Sequence, residues 1–256
     1  MIVKTVWAAD PPKPPPPGEA TRRFLAVAVD GPSAAPAASA AKATGAFKRY
    51  ADTERLNLPD DRQEAPFAAG PELIGHLLRH LLGIGRFGWA YDVPVLGEWS
   101  GAAQAVTVRV HRPVPSGGAL YPIEAYLAGG SGGSPAGLYH YDRAHHALQR
   151  VREGDHRTAL LETLTAPPAT PPDLMIVLTS VFWRTGIAYG DFAYKIQCQE
   201  TGALVAQSLA LTEDLDLSVR LHLDFDGALI DRLLDLPKGA EGALAVLVAR
   251  HATLAG

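Results

Sequence analysis

Apolar residues recur at helical spacing over Pro71–Leu82, where Leu73, Ile74, Leu77, Leu78, Leu81 and Leu82 fall on one face. That stripe is wide enough for a core or a subunit face, and Gly83 and Gly85 close it. A different pattern governs the middle of the chain. Val106–Val110 and Ile123–Leu127 read as strands, while Leu138–Tyr141 and Ala147–Val151 alternate with a period of two and form a hairpin. The run 173–182 is almost continuously apolar, as a strand covered on both faces would be. Asp155 is placed to cap a helix reaching Leu164. From Asp191 to Leu215 the spacing predicts a long helix, with Cys198, Gly202, Val205, Leu209 and Thr212 as its inward stripe. A strand at Val219–Leu223, a helix at Gly227–Leu236 and a strand at Gly242–Ala249 complete the series. Arg86–Gly101, with Phe87, Trp89, Tyr91 and Trp99, reads as irregular, either core filling or the wall of a pocket. Helices and strands alternate without a clean βαβ fingerprint, which predicts an α+β fold with helices packed on a sheet.

Residues 1–45 read as a Pro/Ala-rich extension and linker, with a strand or short helix at Thr21–Asp30, and 46–256 as the folded domain. At 256 residues and 47% hydrophobic content the chain can bury a proper core, and no apolar run is long enough to cross a membrane. Its start lacks a signal peptide pattern, and Cys198 alone excludes an internal disulfide, so the expected setting is cytoplasmic. A net charge of −4 argues against a general nucleic-acid binder. Nine histidines are present, but the i,i+4 pair His76 and His80 has no acidic residue between its members and reads as a helix-surface pair, so no metal site is expected.

The chemistry concentrates in Arg112-Pro113-Val114-Pro115-Ser116-Gly117-Gly118-Ala119-Leu120-Tyr121-Pro122. Prolines stiffen the approach to Ser116, two glycines allow backbone to come close to a ligand, and the hydroxyl can donate and accept. Alone, such a stretch reads equally as a turn leading into a strand. It resembles, however, the R-P-x-P-S-G/A-G-x-L-Y-P signature of flavin-dependent azoline dehydrogenases of the SagB/McbC type, within the nitroreductase superfamily. Gly137–Asp142 with His146-Ala147-Leu148 resembles the family's G-L-Y-x-Y-D…H-x-L hairpin, and Phe182–Asp191 its F-x-R-x-x-x-K-Y-G-D segment. The three occur in family order.

The resemblance implies a nitroreductase-like fold, a mixed, mainly antiparallel sheet flanked by helices. It also implies FMN as cofactor, bound where two subunits of a homodimer meet, and oxidation of an azoline ring in a precursor peptide to an azole, as in thiopeptide-like pathways, with a cyclodehydratase as possible partner. By the same resemblance Pro115, Ser116, Gly117 and Gly118 line the flavin, together with Gln207, Ser208 and Ser218, and Arg62 holds its phosphate. Arg184 reads as a loop cation, a phosphate ligand at the cofactor or a peptide contact. Tyr189 is the catalytic candidate, with Lys195, six residues on, as the stand-in for the missing lysine. The sequence departs from the family at three places. Arg62 persists, but Gln63 and Ala65 replace a serine and a second phosphate-binding arginine. Asp216 and Ser218 replace two glycines, and Ala188 replaces the catalytic lysine beside Tyr189. Two functions therefore stand side by side: an FMN-dependent azoline dehydrogenase, and a catalytically degenerate homologue serving as a peptide-binding or scaffolding subunit.

Overall fold

The computed structural model describes residues 47–48, 50, 53–59, 70–91, 106–131, 135–215 and 217–251. Arg62, Asp216, the 1–45 extension and the element expected at Thr21–Asp30 lie outside the described residues. Strands β1 (Arg55–Asn57), β4 (Ile123–Gly129), β5 (Gly137–Asp142), β6 (Ala147–Arg152), β7 (Leu174–Val181), β8 (Leu217–His222) and β9 (Glu241–His251) form one sheet in the order β1-β6-β5-β4-β7-β9-β8. Every described pairing is antiparallel, so the expected α+β, mainly antiparallel architecture holds. β2 (Arg86–Tyr91) and β3 (Val106–His111) make a separate two-stranded ribbon. The first part of the aromatic stretch expected to be irregular is therefore a strand, because its register against β3 supplies the hydrogen bonds that composition does not reveal.

Alternation along the central strands divides the interior into two cores. Ile123, Ala125, Leu127, Ile176, Leu178, Ala245 and Leu247 face α1 (Pro71–Leu82) and the long helix, α4 (Ala193–Asp214). Tyr126, Ala128, Met175, Val177, Val246 and Val248 face α2 (Arg157–Leu161) and α5 (Gly227–Leu233). Helix α1 coincides with its predicted span and buries all six of its predicted apolar residues, each contributing on the order of 1.5–3 kcal/mol. Glu72 in its first turn and Arg79 and His80 in its last complement the helix dipole. Gly83 ends it in an extended conformation, and a Cβ there would lie 2.6 Å from the Arg79 carbonyl oxygen, which accounts for glycine at this position.

Three sequence expectations change. α2 stops at Leu161, and Asp155 accepts from the Arg157 amide at 3.0 Å without being the cap residue, which is His156. Phe182, expected to close the strand over 173–182, instead opens a helix, α3 (Phe182–Tyr189), which puts Tyr189 at a helix end. In α4 the inward residues include Gln197, Glu200, Thr201, Leu204, Val205, Ser208 and Thr212, while Cys198, Gly202 and Leu209 are exposed. Only Val205 and Thr212 of the expected stripe face inward, because this helix turns polar residues to the protein and leaves apolar ones outside. The lead-in segment docks on the sheet through Lys48, whose Nζ lies 2.5 Å from Glu241 Oε2, and through Tyr50, whose Oη is 2.8 Å from Tyr126 Oη.

Candidate active site

The loop between β3 and β4 is held from α4 and α3. Ser116 Oγ and the Gly117 amide donate to the same Glu200 oxygen, Oε1, at 2.9 and 2.8 Å. The Tyr121 amide donates to Ser116 Oγ at 2.8 Å, closing a small ring of hydrogen bonds. Its backbone enters the left-handed region three times, at Gly118 (φ 62°), Ala119 (φ 55°) and Tyr121 (φ 49°). At Gly117 a Cβ would sit 2.9 Å from Ile196 Cγ2, and at Gly118 one would sit 3.0 Å from Tyr189 Oη. These contacts explain both glycines, and they bring Tyr189 against the loop although some seventy residues separate them in sequence. Arg112 lies over the Tyr121 ring at 4.1 Å, and its amide donates to Tyr121 Oη at 3.1 Å. Burial lowers its guanidinium to about 10, which leaves it charged at neutral pH.

Beneath the loop exit, Glu124 is fully buried. Its carboxylate accepts from Arg184 Nη1 at 2.5 Å and from His140 Nε2 at 3.1 Å, and it pairs with Arg143. Burial pushes this carboxyl up, but the His140 hydrogen bond and the charges of Arg184, His140 and Arg112 outweigh it and hold the group below its ordinary value. The same arginines reach the backbone: Arg184 Nη1 donates to the Tyr121 carbonyl and Arg143 Nη2 to that of Ile123, each at 3.1 Å. Arg184, expected to line a cofactor, is thus buried and committed to Glu124 and the loop.

A cavity of about 460 Å³ opens beside the loop, walled by Arg86, His111, Arg112, Pro115, Ser116 and Tyr121 among others, a size typical of ligand pockets. Of the expected site residues, Pro115 and Ser116 line this cavity, Gly117 and Gly118 belong to the same loop, and Tyr189 stands against Gly118. Lys195 lies one element away, its ammonium 5.3 Å from the centre of the Phe192 ring. Gln207 is half-buried, and Ser208 is buried with its Oγ donating to the Val205 carbonyl at 2.7 Å. Both stand about two turns, roughly 10–12 Å, beyond Glu200 along α4. Ser218 pairs with Arg250 next to the Leu174 end of β7, whereas Ile123 pairs with Ser180 at the other end. Six residues of strand, about 20 Å, separate those ends.

Glu200 and Glu124 escaped the sequence reading, since an acidic residue in a helix or strand reads as solvated surface. The helical spacing of Glu200 from Gln197 and Leu204 was the available signal. Burial, opposed by the Gly117 and Ser116 hydrogen bonds and by the charge of Arg112, raises the Glu200 carboxyl from 4.5 to about 7. The folded chain then keeps a proton that the unfolded chain releases, so stability is fully present below about pH 4.5 and declines as pH rises to about 7. Glu200→Gln is expected to remove this decline. Urea unfolding at a series of pH values checks it, and an unchanged decline in the variant would assign the proton elsewhere.

No family model matches the chain. It is 28% identical over 151 residues to the trifolitoxin-processing protein TfxB of Rhizobium leguminosarum bv. trifolii, covering 56% of this chain and 40% of that protein. To the microcin B17-processing protein McbC of Escherichia coli it is 25% identical over 145 residues, covering 54% and 53% respectively. The chain therefore spans about half or less of the length of these relatives. The fold superposes with a TM-score of 0.65 on a protein from Anabaena variabilis described as a nitroreductase, at 29% identity over 81% of this chain and 40% of that one. The E. coli microcin synthetase McbBCD complex with truncated pro-MccB17 bound contains a chain matching at a TM-score of 0.56 and 18% identity, over 96% of this chain and 77% of that one.

Proposed function

From this distant homology to the McbC- and TfxB-type processing proteins of the nitroreductase superfamily, we propose that the chain is an FMN-dependent dehydrogenase that oxidises azoline rings to azoles in a precursor peptide. The observation that carries the reading is the meeting of Tyr189 with Gly118, which brings the two motifs the chemistry needs against one loop. The residues present fit a flavin. Prolines and Tyr121 give the cavity apolar walls, Arg86 and Arg112 give it cations, and Arg112 Nε has no hydrogen-bond partner among the described residues. Pro115 and Ser116, with Gly117 and Gly118, would line the group, and Arg62 would meet its phosphate.

When bound, FMN supplies the hydride acceptor for the ring carbon being oxidised. The chain's part is to bind, to orient and to take the proton from the neighbouring carbon, and Tyr189, as its phenolate, is the acceptor this reading assigns. Glu200 fixes the loop on which that hydroxyl bears. Gln207, Ser208 and Ser218 are too far from the loop to share one cavity with it in a single protomer, and a homodimer would let a partner present them. Trp183, Ile187, Tyr194 and Leu209, large apolar side chains left exposed on α3 and α4, support such a two-fold contact. A heterocycle-forming partner of the cyclodehydratase class would supply the peptide.

One observation favours the scaffolding alternative. Ala188, which stands where the family carries its lysine, is buried against Leu120, so that position supplies no ammonium to Tyr189. Purified protein is expected to be yellow, to release FMN on denaturation and to convert an azoline-bearing peptide to a product two mass units lighter. Lack of a flavin band after incubation with excess FMN would overturn the enzyme reading.

A further inference from the structure

At the opposite end of the sheet from the loop, β8 and β9 carry two arginines on one face. Ser218 pairs with Arg250 and Arg220 with Val248, which sets the two guanidinium-bearing residues diagonally across neighbouring strands. Diagonal neighbours lie about 7–8 Å apart, close enough for long side chains to interact, and like charges on such pairs repel. Neither arginine has a carboxylate partner among the described residues. Both line a recess of about 230 Å³ together with Ser218, Thr170 and Pro168. Arg250 Nη2 is buried there without a hydrogen-bond partner among the described residues. Two uncompensated cations, an unsatisfied buried donor and two flanking hydroxyl residues are an arrangement that an oxyanion would complete, because guanidinium and hydroxyl groups all donate to it. The wider field agrees: burial, and then the charge of Arg220, hold His222 on the same strand below its ordinary value.

We propose that the recess between the β8–β9 edge and the 168–170 loop is a phosphate-binding site built on Arg220 and Arg250. Arg250 supplies the inner, desolvated contact and Arg220 the outer one, while the Ser218 and Thr170 hydroxyls complete the cradle. The phosphate could be free or esterified, and the two sources are distinguishable.

Inorganic phosphate is the first probe, titrated into the full chain against chloride at matched ionic strength. The Ser218 and Thr170 amide resonances should shift saturably with phosphate and not with chloride. Arg250→Gln and Arg220→Gln should each weaken this binding by at least about tenfold, the loss expected from removing one charge-assisted hydrogen-bonding group. Lys238→Gln, which removes an exposed cation elsewhere, should leave it intact. Amide shifts in the unsubstituted protein that do not exceed those with chloride would overturn the site, as would phosphate affinity that survives both arginine substitutions. FMN and riboflavin make the second pair of probes. If an esterified phosphate fills the recess, FMN should bind more tightly than riboflavin and Arg250→Gln should erase the difference. A difference that persists in Arg250→Gln would leave free phosphate as the occupant and place the flavin phosphate elsewhere. Failure of FMN to bind at all would count against the enzyme reading and leave the inorganic phosphate result standing.

Discussion

Glu124→Ala is expected to destabilise the fold by about 3–5 kcal/mol, the cost of stripping one partner from a buried ion-pair network. Glu124 is fully buried and its carboxylate is the shared acceptor for Arg184, Arg143 and His140. Removing it leaves two guanidinium groups, themselves nearly inaccessible, with no other ion-pair partner among the described residues. Domains of this kind are stable by only about 5–15 kcal/mol, so the loss is a large fraction of the total. Glu124→Gln keeps the acceptor oxygen and removes the charge, and should fall between the variant and the parent. Urea denaturation followed by circular dichroism measures all three. A loss below about 1 kcal/mol for Glu124→Ala would mean that the arginines find other acceptors.

Tyr189→Phe is expected to retain the flavin spectrum and to slow azoline oxidation by at least about tenfold, at or below the low end of what a positioned acid–base group contributes. Phenylalanine preserves the ring packed near Leu120 and Ala188 and deletes only the hydroxyl at Gly118. Single-turnover measurement of flavin bleaching by an azoline peptide isolates this step from peptide binding. An unchanged rate would move the proton transfer to another group, with Lys195 next in line. Ala188→Lys is the companion: an ammonium beside the hydroxyl should raise the rate if the tyrosine carries a proton. If neither the parent nor Ala188→Lys turns over while both bind the peptide, the scaffolding function is the one that remains.

Which parts of the molecule could be read beforehand follows from how local their causes are. α1 is legible because its apolar period, its opening proline and its closing glycine are all written within a dozen residues. β7 is legible for the same reason, all eight of its residues being buried. α4 misled because its inward face is chosen by partners far away. Gln197 bonds back to Thr185 and the Phe182 carbonyl, and Glu200 bonds to Ser116 and Gly117. Polar residues become interior when something distant needs them, and hydropathy carries no record of that need. The loop motif itself was visible, but its clamp was not. Arg184 likewise looked available for a phosphate until the structure gave its charge to Glu124.

The three left-handed positions of the loop also bear on how this chain can drift in evolution. Each non-glycine residue held there costs on the order of 1 kcal/mol or more. Ala119→Gly would recover part of that and would be an easy neutral step. Tyr121 has no such exit, because its hydroxyl receives the Arg112 amide and its ring lies under the Arg112 guanidinium. Lineages should therefore vary at position 119 and hold the pair 112 and 121 together, exchanging both or neither.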